Sequence, residues 1–388
     1  MADVFVGFLF DTEKEAELLA TSKRAASAAP NQYQKGFLSG LSKPVQILST
    51  LSVGSFPKLN TRLIFRREIK DAPEGKIHYL PFFNFYLIRD WMFRKGLYRE
   101  LNRIIKEQEY TTMYVYSLHM PFLKNIQKLK KKYGDRLHCC LIVPDLVGKY
   151  GLVRRGLKGI RDRLQADKKM RLANYADSFV FLTEAMKNLF DPKPFTVMEG
   201  FLPTCQFDYN NTRIPKSVLY TGSLNRAYGF GTLLEAFSSI PDLDAQLWIC
   251  GVGDMEEAVK NAAREDSRIQ FKGFLPKSEV AALQTQCDVL VNPRTDEGEY
   301  TKYSFPSKTM EYLLSGSKVV MYRLPGIGDE YYRFIRTVDQ PGPGAMAKVL
   351  QDAWADEDFY ISQSQKQVDW IRQEKDAKTM VAKLQDLF

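Results

Sequence analysis

Three cations lie close together in the sequence around residue 300, where they are suited to hold an anion. Arg294 follows an apolar run typical of a buried strand, and Lys302 and Lys308 come shortly after it. Guanidinium and ammonium groups gathered on one loop are the usual partners of phosphate oxygens. The spacing therefore predicts an anion site on this loop.

The segment that follows the loop is predicted to begin a helix. Ser304 or Ser307 can cap it, Pro306 suits its first turn and Gly316 ends it. Lys308 would then lie at the positive end of the helix dipole, which is unfavourable unless an anion is near. A bound diphosphate would supply that anion. The residues predicted to contact it in this segment are Tyr303, Ser304, Phe305, Pro306, Ser307 and Lys308.

Glu311 lies one helical turn after Lys308 and carries a different chemistry. Its carboxylate can accept hydrogen bonds from two adjacent hydroxyl groups, as a ribose diol offers. The alternative is an exposed Lys308–Glu311 ion pair, which would contribute only about 0.2–0.5 kcal/mol. We interpret both residues as functional because Arg294 and Lys302 converge on the same loop.

Two glycine-containing turns precede this region, in Tyr220–Gly229 and in Cys250–Gly253. Each follows a strand-like run and precedes a helical one, an arrangement that directs unpaired backbone N–H groups at an anion. The second turn has Glu256 where a dinucleotide-binding fingerprint has its third glycine, which disfavours a dehydrogenase. The residues that these turns place at the predicted ligand are Gly222, Ser223, Arg226 and Gly251.

The first half of the chain offers fewer candidates. His119 stands at the end of a predicted strand, and this position favours a functional role over that of a core histidine. Asp145 also follows a strand, where it can bind a hydroxyl or only end the strand. Asn31 and Gln34, in a predicted loop, have amides that both donate and accept hydrogen bonds. These three polar residues are predicted to bind hydroxyl groups of a ligand.

The elements that position these residues alternate between strand and helix. The predicted strands are Val4–Phe10, Met113–Ser117, Cys139–Val143, Phe179–Thr183, Val218–Gly222, Leu247–Gly251, Ile269–Phe271, Val289–Asn292 and Lys318–Tyr322, with helical runs between them. This alternation predicts an α/β fold with two Rossmann-like, doubly wound domains, and ligands in a cleft at the carboxyl ends of the strands. The predicted domains are residues 1–200 and 201–358. A C-terminal helix at 359–388 is expected to pack back on the first domain.

Composition restricts the environment of the protein. The 388 residues have a net charge of +9, and basic clusters lie at residues 124–132 and 149–163. Such clusters suit an anionic membrane surface or an anionic substrate, or are simply solvated. Five scattered cysteines and no apolar run of about 20 residues predict a cytoplasmic chain. Peripheral contact with the inner membrane face and a homodimer remain open, and no nucleic-acid-binding signature is found.

Residues 217–323 resemble the donor domain of retaining GT-B-fold glycosyltransferases of family four, particularly bacterial capsule and exopolysaccharide enzymes. The matching residues are Gly222, Gly229, Glu235–Phe237, Gly251–Gly253, Gly273–Leu275, Asp288 and Ser304–Gly316 with Glu311. The resemblance implies transfer of a sugar from a nucleotide diphosphate, UDP above all, bound by residues 201–358, to a glycan or lipid-linked acceptor bound by residues 1–200. It implies retention of configuration, a ribose contact by Glu311, and base contacts by Phe274 and Leu275. It also implies a catalytic or sugar-contacting role for His119 and acceptor contacts by Asn31, Gln34 and Asp145. Asp242–Asp244 and Asp356–Asp358 have a metal-binding spacing but lie outside the predicted donor loops, so no metal is expected.

The chain departs from that family at three positions. The first glutamate of the family's pair falls on Tyr303, and the usual phosphate-binding arginine and lysine fall on Ser223 and Tyr228. Lys308 and Arg294, with Arg226 or Lys302, are expected to supply the missing charge. Three alternatives stay open: a sugar-nucleotide epimerase, a non-catalytic partner subunit with the same fold, and a basic nucleic-acid binder.

Overall fold

The computed structural model describes residues 2–22, 28–146, 157–203 and 206–387. These residues form two compact units, Met1–Phe201 with Ala377–Phe388 and Leu202–Asp376. The α/β fold class with two Rossmann-like units is confirmed. The segment 359–388, expected to be one helix, is instead a series of short helices shared between the units.

An eight-stranded sheet forms the centre of the first unit, in the order β10-β9-β8-β7-β1-β2-β5-β4. Its pairs are parallel except for the antiparallel pair β4–β5. The strands of this unit are β1 (Ala2–Gly7), β2 (Gln46–Ser49), β3 (Ile64–Phe65), β4 (Glu68–Ala72), β5 (Gly75–Tyr79), β6 (Phe82–Phe83), β7 (Thr111–Tyr116), β8 (Leu137–Val143), β9 (Ser178–Phe181) and β10 (Phe195–Val197). Strands β3 and β6 form a separate two-stranded ribbon.

The central strands are apolar on both faces because helices cover both sides of the sheet. Every residue of β7 is buried, as expected for an interior parallel strand. The covering helices are α1 (Thr12–Thr21), α2 (Ala28–Gly40), α3 (Tyr86–Lys106), α4 (Met120–Tyr133) and α5 (Leu157–Ala173). Helix α4 has Pro121 in its first turn and Gly134, at φ +52°, after its last.

A six-stranded, all-parallel sheet forms the second unit, in the order β13-β12-β11-β14-β15-β16. The strands are β11 (Ile214–Thr221), β12 (Gln246–Cys250), β13 (Ile269–Gly273), β14 (Cys287–Asn292), β15 (Lys318–Tyr322) and β16 (Ile335–Val338). When the strands of this unit are numbered from one to six along the chain, the order in the sheet is 3-2-1-4-5-6. Successive strands are added on one side of β11 and then on the other, so the strand order reverses between β11 and β14. In such sheets the crevice at that reversal is where ligands bind.

The helices of the second unit pack on both faces of its sheet. They are α6 (Phe230–Ser238), α7 (Glu256–Glu265), α8 (Lys277–Gln286), α9 (Lys308–Leu314), α10 (Pro343–Ala355), α11 (Phe359–Ser362) and α12 (Ser364–Glu374). The last helix, α13 (Ala377–Ala382), packs on α2 in the first unit. None of the helices in the described ranges is both long and apolar enough to cross a bilayer.

All nine strands predicted from the sequence are present, one with the predicted bounds and eight with ends shifted by a few residues. Two local predictions are wrong. Asn31 and Gln34 lie inside α2 rather than in a loop. Helix α9 starts at Lys308 with Ser307 before it, but the Ser307 side chain makes no capping hydrogen bond, and the Ser304 hydroxyl has another partner. One of the five cysteines, Cys205, lies outside the described residues, as do Lys149, Arg154 and Arg155 of the second basic cluster.

Candidate functional site

A cavity of about 230 Å³ opens at the carboxyl end of the second sheet, where the strand order reverses between β11 and β14. Residues that follow β11 form one wall and residues that follow β14 form another. The start of α9 closes the site from a third side. The lining residues are Tyr220, Thr221, Gly222, Ser223, Tyr228, Asn292, Arg294, Phe305, Pro306, Ser307, Lys308 and Tyr312.

Glycines bring the loops behind this cavity into close contact. The Gly222 N–H donates to the Cys250 carbonyl at 3.0 Å, and a Cβ at Gly251, which has φ +149°, would collide with the Gly222 carbonyl oxygen. A Cβ at Gly229, at φ +71°, would collide with the Pro293 carbonyl. Gly222 therefore lines the cavity, whereas Gly251 supports the cavity wall from behind.

Arg294 is held in the cavity wall between two aromatic rings. Its guanidinium carbon lies 5.4 Å from the ring centre of Tyr228 and 4.9 Å from that of Tyr300. Its Nη2 donates to Ser304 Oγ at 2.8 Å, while its Nε is buried without a hydrogen-bond partner among the described residues. Stacking on rings pre-orients a guanidinium, so that little side-chain entropy is lost when it binds an anion.

Lys308 and Glu311 point toward each other at the start of α9. Lys308 Nζ lies 2.5 Å from Glu311 Oε2, and both side chains are partly exposed. The i, i+3 ion pair considered as an alternative is thus present, yet Lys308 also lines the cavity. The Glu311 carboxylate lies beside the Lys308 ammonium group that lines the cavity, and its Oε1 can accept hydrogen bonds.

The remaining predicted residues of this unit lie outside the lining of the cavity. The Arg226 backbone N–H donates to Asp254 Oδ1 at 3.0 Å, and its side chain is exposed. Lys302 is exposed and Tyr303 half-buried, in the short 3₁₀ turn Glu299–Tyr303. Phe274 is 80% exposed after β13, and Leu275 packs against a buried apolar cluster.

Tyr312 is a site residue that the sequence analysis missed. It is 1% exposed, and its hydroxyl accepts from the Thr221 N–H at 3.0 Å and lies 3.2 Å from the Thr221 carbonyl oxygen. This contact fixes the end of β11 against α9. The sequence contains one indication that Tyr312 belongs to the site: it lies one turn after Lys308, and residues four apart share a helix face.

A second cavity, of about 310 Å³, lies at the carboxyl end of the first sheet, next to the ends of β1 and β7. The strand order of this sheet also reverses there, between β1 and β7. His119, Asn31, Gln34 and Asp145, predicted separately along the chain, all line it, together with Phe8, Phe10, Pro30, Ser52, Tyr116, Ser117, Leu118, Pro144 and Lys169.

His119 is surrounded by aromatic rings. Phe8 and Phe122 lie 5.2 and 4.7 Å from it, centre to centre, and its Nδ1 is buried without a hydrogen-bond partner in the described ranges. Burial, reinforced by the positive charges of Lys169 and Arg89, lowers the pKa of His119 to about 3. The imidazole is therefore neutral near pH 7 and can orient a hydroxyl group, but cannot act as an imidazolium.

The two amides on α2 are used inside the protein. Asn31 Oδ1 accepts from the Phe10 N–H and its Nδ2 donates to the Phe10 carbonyl, both at 3.0 Å. Gln34 Oε1 accepts from the Phe8 N–H at 2.8 Å and its Nε2 donates to the Pro30 carbonyl at 2.9 Å. Both side chains thus hold the segment after β1 in the shape that forms one wall of the cavity.

Asp145 lies at the cavity mouth with an exposed side chain, and surrounding protein raises the pKa of its carboxyl group.

Ser117, which also lines this cavity, has φ +81°, which is unusual for a residue with a side chain. Its N–H donates to the Ile142 carbonyl at 2.8 Å, which holds the turn in place. Backbone strain of this kind tends to accumulate at ligand-binding sites.

Residues 215–356 match the profile of a protein family described as "Glycosyl transferases group 1". The second unit thus matches group 1 glycosyl transferases. A curated relative, the 2-deoxystreptamine glucosyltransferase of Streptomyces kanamyceticus, is 29% identical over 116 residues. That match spans 28% of this chain and 28% of the relative.

Solved structures resemble the chain over its full length at low sequence identity. HepE of Anabaena, solved with UDP, covers 100% of this chain and 99% of its own, with a TM-score of 0.60 and 12% identity. A trehalose-phosphate synthase of Burkholderia xenovorans covers 100% of both chains, with a TM-score of 0.64 and 10% identity. TarM of S. aureus covers 100% of this chain and 99% of its own, with a TM-score of 0.61 and 10% identity. These solved structures support the two-unit fold.

Proposed function

We propose that this protein transfers a sugar from a nucleotide diphosphate, UDP above all, to a glycan or a lipid-linked glycan, without a metal ion. The observation that carries the proposal is the pair of cations, Arg294 and Lys308, on a cavity at the strand-order reversal. That cavity lies within the segment matched by the glycosyl transferase family. UDP is the proposed nucleotide because HepE and TarM are each described in complex with it.

In this proposal the second unit binds the donor. Arg294 and Lys308 neutralise the diphosphate, and Glu311 accepts hydrogen bonds from the ribose hydroxyls with the oxygen that does not contact Lys308. Phe274 and Leu275, after β13, contact the base. Lys302, Tyr303 and Arg226 act from the rim, because they lie outside the cavity lining.

The chemical step exchanges one bond to the anomeric carbon for another. The bond to the diphosphate oxygen breaks with the electron pair leaving on UDP, and a bond to the acceptor oxygen forms as that hydroxyl loses its proton. Fixed positive charges stabilise the leaving group, so that positioning and electrostatics supply most of the catalysis. We propose retention of configuration, as in the enzymes that the second unit resembles.

The first unit would bind the acceptor and the transferred sugar. The neutral His119 orients a hydroxyl group, and Asp145 at the cavity mouth accepts a hydrogen bond from another. Asn31 and Gln34 act indirectly, since their amides hold the segment after β1. The proposed setting is the cytoplasmic face of the membrane, in the synthesis of a bacterial cell-surface polysaccharide of capsule or exopolysaccharide type.

A non-catalytic partner subunit is the second candidate. It is favoured by Ser223 and Tyr228, which line the cavity where the enzymes of the resemblance carry cations. A protein that has lost donor binding would not respond to nucleotides. Donor binding therefore separates the two candidates.

Calorimetric titration of UDP, GDP and ADP into the full chain tests the proposal. We expect UDP to bind most tightly, and Arg294→Ala to weaken it about 10–100-fold because a charge-assisted hydrogen bond is lost. Arg226→Ala removes the same charge from the rim and should weaken UDP less than Arg294→Ala does. If none of the three nucleotides binds, donor transfer is ruled out and the partner-subunit candidate is preferred.

A further inference from the structure

A basic groove lies on the first unit, away from the cavity that contains His119. It has a volume of about 920 Å³ and runs between α3, α4 and α5. Of its described lining residues, seven are basic and none is acidic. The cations are Arg94, Lys95 and Arg99 on α3, Lys124, Lys128 and Lys131 on α4, and Lys168 on α5.

These cations are left without carboxylate partners. None of the seven forms an ion pair within the part of the chain that the structure describes; Lys130 and Lys132, their neighbours on α4, bind Asp177 and Asn102 instead. Lys128 Nζ lies 3.7 Å from the ring centre of Tyr98. Burial and the positive charges of Arg94 and Lys168 lower the pKa of Lys124, although the negative charge of Asp90 acts in the opposite direction. Charges held this close together favour an anionic ligand.

An exposed apolar strip continues the groove toward the start of α3. Ile88 and Trp91 are 47% and 49% exposed, and they share a helix face with Lys95 and Tyr98 because the spacing is three or four residues. Lys95 Nζ lies 4.0 Å from the ring centre of Trp91, so the apolar strip and the basic groove are in contact. Phe83 and Phe85, just before the helix, are 46% and 50% exposed.

We propose that this face of α3 and α4 docks on a bilayer surface rich in anionic phospholipids. The groove cations bind the headgroup phosphates, and Trp91 and Ile88 enter the boundary between headgroups and acyl chains. Charge complementarity with a negative surface and an adjoining apolar strip are together the chemistry of interfacial binding. A nucleic acid offers the phosphates but no apolar phase for the strip, which favours the bilayer.

This inference goes beyond the proposed sugar transfer and does not depend on it. The groove belongs to the first unit and the nucleotide cavity to the second. UDP affinity and membrane binding are therefore separate measurements on the same protein, and the failure of one does not imply the failure of the other.

Flotation of the full chain with vesicles tests the proposal. We compare neutral phosphatidylcholine vesicles with vesicles that contain about one third phosphatidylglycerol, at low and high salt. The triple variant Lys95→Ala/Lys128→Ala/Lys131→Ala removes three groove cations. The control Lys43→Ala/Lys58→Ala/Lys348→Ala removes three exposed lysines elsewhere. A third variant, Ile88→Ser/Trp91→Ser, removes the apolar strip and leaves the charge unchanged.

We expect binding to the anionic vesicles only, weakened by salt. The groove variant should bind about 100-fold less, at roughly fivefold per cation, and the control within about threefold of wild type. The apolar variant should bind more weakly while keeping the salt dependence. Circular dichroism checks that each variant is folded. Absence of vesicle binding at low salt, equal loss in the control, or groove-dependent binding to a DNA duplex without vesicle binding would overturn the proposal.

Discussion

The hydroxyl group of Tyr312 bridges both backbone groups of Thr221, at 3.0 Å from its nitrogen and 3.2 Å from its carbonyl oxygen. Tyr312 lies on α9 and Thr221 ends β11, so this buried contact joins two of the elements that line the cavity of the second unit. Burial raises the pKa of Tyr312 far above its ordinary value, which keeps the hydroxyl protonated and able to donate.

Tyr312→Phe should therefore destabilise the second unit and loosen the cavity. The buried N–H of Thr221 would lose its partner, which typically costs about 1–3 kcal/mol. Chemical denaturation followed by tryptophan fluorescence measures this loss. Tyr209→Phe is the control, because the Tyr209 hydroxyl also binds a carbonyl, that of Leu314, but the residue is 42% exposed. Equal losses in the two variants would contradict the prediction.

Lys308→Ala should weaken UDP about 10-fold or more while changing the free energy of unfolding by less than about 0.5 kcal/mol. The first effect follows from a lost charge-assisted hydrogen bond, and the second from the small contribution of a partly exposed i, i+3 ion pair. Lys302→Ala removes the same charge from an exposed position outside the cavity lining and should have a smaller effect. Calorimetry and denaturation measure the two quantities. An unchanged UDP affinity in Lys308→Ala would remove this lysine from the donor site.

Gly251→Ala should destabilise the second unit by about 1–3 kcal/mol, because its methyl group has no room against the Gly222 carbonyl. Gly231→Ala is the matched control. It lies in α6, nothing lies within 4 Å of its added Cβ, and alanine is the better helix former by about 0.5–1 kcal/mol. Thermal unfolding should show opposite signs for the two variants, and a stabilised Gly251→Ala would show that the loops are not tightly packed.

The low pKa of His119 predicts acid sensitivity. The folded state keeps this imidazole neutral down to about pH 3, whereas the unfolded chain takes up the proton near pH 6.5. The contribution of the neutral imidazole to the free energy of unfolding is therefore complete above pH 6.5. As the pH falls toward 3, this contribution decreases by up to about 1.4 kcal/mol per pH unit. Denaturation of wild type and His119→Phe between pH 7 and pH 4 measures the difference. Parallel pH profiles would mean that His119 titrates normally.

Strong local patterns made much of the fold predictable. Strands such as Lys318–Tyr322 are short, continuous apolar runs between helices, and this one has the predicted bounds. Strands β4 and β16 were missed because their residues are mostly polar or half-exposed at the edges of sheets. An edge strand is defined by the neighbour that it pairs with, which the local sequence does not encode.

The candidate site was predictable only in its residue types. Lys308, Arg294 and His119 could be chosen because charge and position after a strand favour ligand contact. The use of Asn31 and Gln34 as internal supports depends on which backbone groups face them, and that follows only from the folded chain. Tyr312 resembled an ordinary core tyrosine for the same reason.

The return of the last helix to the first unit has a practical consequence for dissecting the protein. Met380, Val381, Leu384 and Leu387 are buried in the core that also contains Phe5 and Phe37. Leu202–Asp376 can be expressed as one continuous polypeptide, but the first unit cannot, because its core is built from two separate stretches of chain. A shortened protein that stops after residue 376 would lack these four side chains, would leave the core residues that they cover exposed to solvent, and should be insoluble unless the missing peptide is supplied in trans.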